Sequence, residues 1–154
     1  MLKRLSELLP RPAVLLELKT TEKTEVIREL ARPLVELGFI VDEAEFVAAI
    51  LKRENLESTG IGMGVAIPHA RTNTVRATTL AFGRSDSGVD FTSLDGRPSH
   101  LIFLIAAPEE LKREYIATLA RLSSLLRKDE VRIGLNRAKT VDEVFAVIEQ
   151  HEKF

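Results

Sequence analysis

The chain reads as a single-domain α/β protein, a mixed β-sheet flanked by helices. Three observations predict this. Stretches with apolar residues at helical spacing alternate with short β-branched runs, so helices and strands follow one another along the sequence. The 154 residues are 45% hydrophobic, enough to bury one core and too few to expect two domains. No internal repeat, low-complexity tract or linker divides the chain over residues 1–154.

The elements follow in order. A short helix is predicted over 2–9 and a strand over Val14–Leu18. A helix from about Glu22 to Leu37 carries the apolar stripe Val26, Ile27, Leu30, Leu34 and Leu37, with Gly38 ending it and Pro33 predicting a kink. Asp42 with Glu45 forms a capping pair for a second helix that reaches about Arg53 and turns Phe46, Val47 and Ile50 inward. Val65-Ala66-Ile67, bounded by Gly64 and Pro68, has the pattern of a buried strand that hands over to a turn. Ala77–Gly83 and Leu101–Ala106 read as strands, the second central because it is apolar on both faces. Between them lie a short strand, Gly88–Phe91, and a turn, Leu94–Pro98. A long helix from about Glu109 to Lys128 and a short one over Asp129–Arg137 follow. A last helix opens at Thr140, with Glu143 completing a capping box.

Composition narrows the function classes. A net charge of −1 with interspersed signs leaves no electrostatic footprint for nucleic acid. The absence of cysteine removes disulfides and thiol catalysis and fits a cytoplasmic location. Met1–Pro10 contains an acidic residue and a proline where a signal peptide needs an apolar run, and no segment approaches membrane-spanning length, so no direct membrane insertion is expected. Three widely separated histidines form no local metal motif: His100 is expected at an edge or turn, and His151 in solvent. Gly83-Arg84-Ser85-Asp86-Ser87 lacks the closing glycine of a nucleophile elbow.

Chemistry concentrates in Arg53–Ala70. His69 follows the strand-like Val65–Ile67 and is expected at that strand's end, with Pro68 restricting the backbone that presents it. Upstream, Gly60, Gly62 and Gly64 permit positive φ and close approach of a ligand to backbone amides. They make neither a dinucleotide fingerprint nor a Walker loop. What remains is an anion-friendly loop, with Arg53, Ser58 and Thr59 as further donors, leading to one histidine. Arg53 also has an ordinary explanation, a cation in a helix's last turn, worth about 0.3–1 kcal/mol when exposed.

The stretch from Glu54 to Ala70 closely resembles the signature of the phosphotransferase-system EIIA domains of the fructose, mannitol and nitrogen-regulatory class (EIIA type 2). Arg53-Glu54, Ser58-Thr59-Gly60, Leu94-Asp95-Gly96 and Ala106-Ala107-Pro108 fall in the family's order along nearly the whole chain. The resemblance implies an EIIA mannitol/fructose-like fold and a phosphoryl group carried on His69, received from a small HPr-like phosphocarrier protein. It implies no cofactor or metal. It assigns Arg53 a guanidinium clamp on the phosphoryl group and makes Ser58, Thr59, Gly60, Gly62 and Gly64 its binding loop. The family commonly carries a second histidine near the start of the long helix, a position occupied here by Tyr115. A tyrosine hydroxyl donates a hydrogen bond but supplies no cation near neutral pH. Tyr115 also falls on the apolar face Leu111, Leu119, Leu122 and Leu126, and a tyrosine can bury its ring while exposing its hydroxyl. Two phospho-dependent roles are expected from the resemblance, with a degenerate homologue that binds partners without phosphorylation as a further alternative. One is a sugar phosphotransferase relay that discharges to an EIIB domain. The other is a nitrogen-regulatory switch in which the phosphorylation state of His69 controls a partner protein.

Overall fold

The computed structural model describes residues 3–152. Helix α1 (Leu5–Leu8) and a 3-10 turn at Arg11–Ala13 lead into strand β1 (Val14–Leu15). Helices α2 (Lys23–Glu36) and α3 (Glu43–Leu56) follow, then three short strands, β2 (Gly60–Gly62), β3 (Val65–Ala66) and β4 (His69–Thr72). Two long strands, β5 (Thr79–Val89) and β6 (Ser99–Pro108), precede α4 (Lys112–Leu126), α5 (Asp129–Arg137) and α6 (Val141–His151). No helix among the described residues is long and apolar enough to cross a membrane.

The sheet has six strands in the order β1-β5-β6-β3-β2, with β4 also on β6. Strand β6 pairs antiparallel with β5 and parallel with both β3 and β4. Every position from Leu101 to Pro108 is buried, so helices must cover both faces of the central strand, as its two-sided apolarity predicts. Phe82 and Phe103 stack across β5 and β6 with ring centroids 4.6 Å apart.

Most helix ends agree with the sequence reading, and α5 agrees at both. Differences occur where a tertiary partner decides. The first helix, predicted over 2–9, spans only Leu5–Leu8, its predicted start at Leu2 lying outside the described residues. The strand predicted over Val14–Leu18 shortens to two residues, although the Leu18 amide still donates to the Arg84 carbonyl at 2.9 Å. Helix α2 is continuous across Pro33, with the proline buried, and α3 continues one turn beyond Arg53. Strand β5 extends well past Gly83, because its ladder to β6 pairs Arg84 with Leu101 and, after an irregularity, Val89 with Ser99. Of the short strand predicted at Gly88–Phe91, Gly88 and Val89 are the end of β5, and Asp90 and Phe91 lie outside any strand. The long helix begins at Lys112, three residues late, because Pro108–Leu111 closes as a turn through Leu111 N–H to Pro108 O.

Candidate functional site

His69 opens a strand instead of ending one. Ala66 lies opposite Ile102 and His69 opposite Ile105, so β3 and β4 run in line along β6 without an inserted residue. The ladder is interrupted only at Ile67-Pro68, where the proline has no N–H to donate. The Ile67 carbonyl receives a hydrogen bond from His69 Nδ1 at 2.6 Å. Because a carbonyl can only accept, the Nδ1 nitrogen carries the proton and Nε2 keeps its lone pair. Nε2 has no hydrogen-bond partner among the described residues.

A chain of contacts holds Ile67 in turn. Its N–H donates to the Thr59 carbonyl at 2.9 Å, and the Thr59 amide donates to Glu54 Oε2 at 3.0 Å. The Glu54 side chain is buried and its other oxygen lies 3.7 Å from Lys23 Nζ, a cation at the start of α2. Helices α2 and α3 therefore fix the peptide that fixes the imidazole.

Over the ring lies an open cavity of about 490 Å³, lined by residues of α3, β4 and the start of α4. Arg53, in the last turn of α3, donates from Nη1 to the Glu57 carbonyl at 2.8 Å and also lines the cavity. It closes the helix and faces the site at once. Tyr115 approaches from the first turn of α4, its ring centroid 5.7 Å from that of His69 and the planes tilted by 53°. Tyr115 is half-buried against the core and also lines the cavity.

Electrostatics favour a neutral, nucleophilic imidazole. Burial pushes the His69 pKa below 6.5 and the Arg53 charge adds to this, while the hydrogen bond to Ile67 works in the opposite direction. Burial raises the Tyr115 phenol above 10.0 against the pull of Arg53 and Arg71, so the hydroxyl stays protonated and able to donate.

The loop residues lie elsewhere. Ser58, Thr59, Gly60, Gly62 and Gly64 do not line this cavity. The Ser58 hydroxyl donates to the Phe91 carbonyl and accepts from the Gly60 amide at 3.0 Å, and the buried Thr59 hydroxyl has no partner among the described residues. Gly62 and Gly64 take φ of +89° and +76° in the turn beside Asp95 and His100. Their conformational freedom serves the β2–β3 connection. His100 sits on β6 with Nδ1 bonded to the Ser85 carbonyl at 2.8 Å. His151 is half-buried at the end of α6, not in solvent: its Nδ1 bonds the Val147 carbonyl at 2.9 Å and its own carbonyl accepts from Lys128. No group of three ligating side chains able to hold a metal occurs among the described residues.

Sequence reasoning missed Lys52, Arg71 and two carboxylates, Glu45 and Glu109, which complete the cavity. For Arg71 a signal existed, since strand periodicity places it on the same face as His69. For Glu45 the reading as a cap concealed it. Asp42 does cap α3 by accepting from the Glu45 amide at 3.1 Å, but the return arm is supplied by Thr74, whose Oγ1 accepts from the Asp42 amide at 2.7 Å. Glu45 itself lines the cavity.

Known proteins share this architecture. A fructose-specific EIIABC component of Bacillus subtilis is 43% identical over 150 residues, which cover 97% of this chain and 24% of that protein. A nitrogen regulatory protein of Bradyrhizobium diazoefficiens is 33% identical over 144 residues, 94% of each chain. Among solved structures, nitrogen regulatory protein IIA-Ntr of Neisseria meningitidis superposes with a TM-score of 0.86 at 31% identity, covering 93% of this chain and 97% of its own. Enzyme IIA mannitol of Escherichia coli, solved in complex with phosphorylated enzyme IIB mannitol, gives 0.77 at 29% identity over 90% and 95%. Residues 7–151 match the family described as phosphoenolpyruvate-dependent sugar phosphotransferase system, EIIA 2, and the chain belongs to that family.

Proposed function

We propose that residues 1–154 act as one EIIA domain in which His69 Nε2 accepts a phosphoryl group from a small HPr-like phosphocarrier and delivers it to an EIIB domain. The observation that carries this is the imidazole tied at Nδ1 to Ile67, with Nε2 unpartnered among the described residues, in the wall of a cavity that Arg53 also lines. In the forward step the phosphorus–nitrogen bond of the donor phosphohistidine breaks as the Nε2–phosphorus bond forms, and the donor nitrogen recovers its electron pair. The proton on Nδ1 stays in place. As positive charge develops on the acceptor ring, the short Nδ1–H bond to the Ile67 carbonyl strengthens and stabilises it. Arg53 and the Tyr115 hydroxyl offer donors to the oxygens of a loose transition state, where positioning and charge do most of the work.

An EIIB domain is the chosen acceptor because the Escherichia coli mannitol relative is solved with a phosphorylated one. The reading includes a cytoplasmic location, with which a cysteine-free chain agrees. A second reading is favoured by the near full-length match to nitrogen regulatory proteins. In it the same phosphorylation alters surface charge and switches a regulated partner protein.

Incubation with phosphoenolpyruvate, enzyme I and the small phosphocarrier should place acid-labile phosphate on the wild-type chain and none on His69→Ala. Arg53→Gln should slow labelling by on the order of 10²-fold, the scale of one lost transition-state donor. An unlabelled wild-type chain with several carriers defeats both readings. Discharge to added EIIB domains supports the relay, and retention of label with all of them supports the switch.

A further inference from the structure

Arg71 enters the cavity from β4, two residues beyond the acceptor and on the same face of the strand. Its guanidinium is held from two sides. Nη1 donates to the Glu109 carbonyl in the turn before α4, and Cζ lies 6.0 Å from the centroid of the Tyr115 ring, at the outer edge of a cation–π contact. The Tyr115 ring in turn stands beside that of His69. Arg71 forms no ion pair among the described residues, although Glu45 and Glu109 line the same cavity. One carbonyl engages only part of a fork that carries five N–H donors. Arg71 is a half-buried residue whose guanidinium has open donors and, among the described residues, no counter-ion, which suits it to an anion that comes and goes.

We infer that Arg71 is a catalytic residue: its guanidinium, preset by the Glu109 carbonyl and the Tyr115 ring, binds the phosphoryl oxygens when the group is on His69 Nε2. The inference rests on the acceptor reading of His69. Arg71 stays protonated throughout and gives hydrogen bonds only, so the bonds made and broken are those of the transfer itself. Arg53 reaches the group from α3 and Arg71 from β4, which places positive charge on two sides of oxygens whose negative charge is spread in the transition state. Tyr115 acts in this scheme as a platform for the cation, a role that needs its ring more than its hydroxyl.

The test separates contact with phosphate from docking of a protein donor. Wild type, Arg71→Gln and Arg71→Lys are phosphorylated by the protein carrier and, separately, by phosphoramidate, a small donor with no docking surface. The expected result is a loss on the order of 10²-fold for Arg71→Gln with both donors. Arg71→Lys should recover part of it, since lysine keeps the charge without the fork. Unchanged rates overturn the inference, and so does a deficit confined to the protein donor, which would make Arg71 a docking residue. Should Arg71→Gln fail to fold, Arg71→Lys decides alone: slowed acceptance from both donors supports the role, and wild-type rates overturn it. A wild-type chain that takes label from neither donor removes the acceptor reading and this inference with it.

Discussion

At His69, one nitrogen is held and the other is free, and the backbone sets which is which. The ring bonds the carbonyl two residues earlier across a proline, so the restricted φ of Pro68 limits where that carbonyl lies relative to the imidazole. The same burial that keeps the ring neutral links it to stability. The folded-state pKa lies below 6.5, so between the two values the unfolded chain binds more protons. The stabilising contribution is complete above pH 6.5 and is lost as pH falls through the depressed folded value. Urea denaturation at pH 7.5 and pH 5 should therefore show a larger loss of stability on acidification for wild type than for His69→Gln. Parallel losses would show that His69 is not the buried neutral group described here. That the backbone before His69 is restricted is legible from Ile67-Pro68-His69. The tautomer of His69 is not, because the hydrogen-bond partner of Nδ1 depends on how the ring turns back over its own backbone.

At the scale of elements, local signals predicted helices well and strands less well. Helix starts at Asp42 and Thr140 carry side-chain oxygens that accept from the amide three residues on, and a capping bond of that kind is written in four consecutive residues. Strand β5 was cut short because Arg84, Ser85, Asp86 and Ser87 interrupt its apolar run, whereas pairing with β6 is what extends it. The glycines of 60–64 permit positive φ and close approach to their amides, which suits an anion, yet β2 runs antiparallel to β3 and sets Gly60 beside Ser93 and Gly62 beside Asp95. Thr74 shows the same limit on a smaller scale: it completes the α3 cap from a loop 32 residues away. Asp42→Ala should cost about 1 kcal/mol of stability, and Thr74→Val a similar amount, about 1 kcal/mol, through the unpaired Asp42 amide. Chemical denaturation of the two single variants and the double variant checks this. Because both act on one helix end, the double variant should lose less than the sum, and full additivity would mean that the two bonds do not form one cap.

At the scale of the molecule, the fold brings three distant segments to one cavity. The end of α3 contributes Arg53, β4 contributes His69 and Arg71, and the start of α4 contributes Tyr115. The register of β4 on the last half of β6, followed by the Pro108–Leu111 turn, delivers Tyr115 beside His69. Single-domain architecture and a central apolar strand were readable from composition and hydropathy. The meeting of these segments was not, because parallel pairing of β4 with β6 joins residues more than 30 positions apart that share no periodic pattern. The central claim is that phosphate enters at Nε2 of His69, and long-range proton–nitrogen correlation NMR of the ¹⁵N-labelled phosphoprotein tests it most directly. The account predicts that phosphorylation perturbs Nε2 of this one histidine, with a protonated Nδ1 still bonded to the Ile67 carbonyl. Phosphorus on Nδ1, or on any residue other than His69, would contradict it.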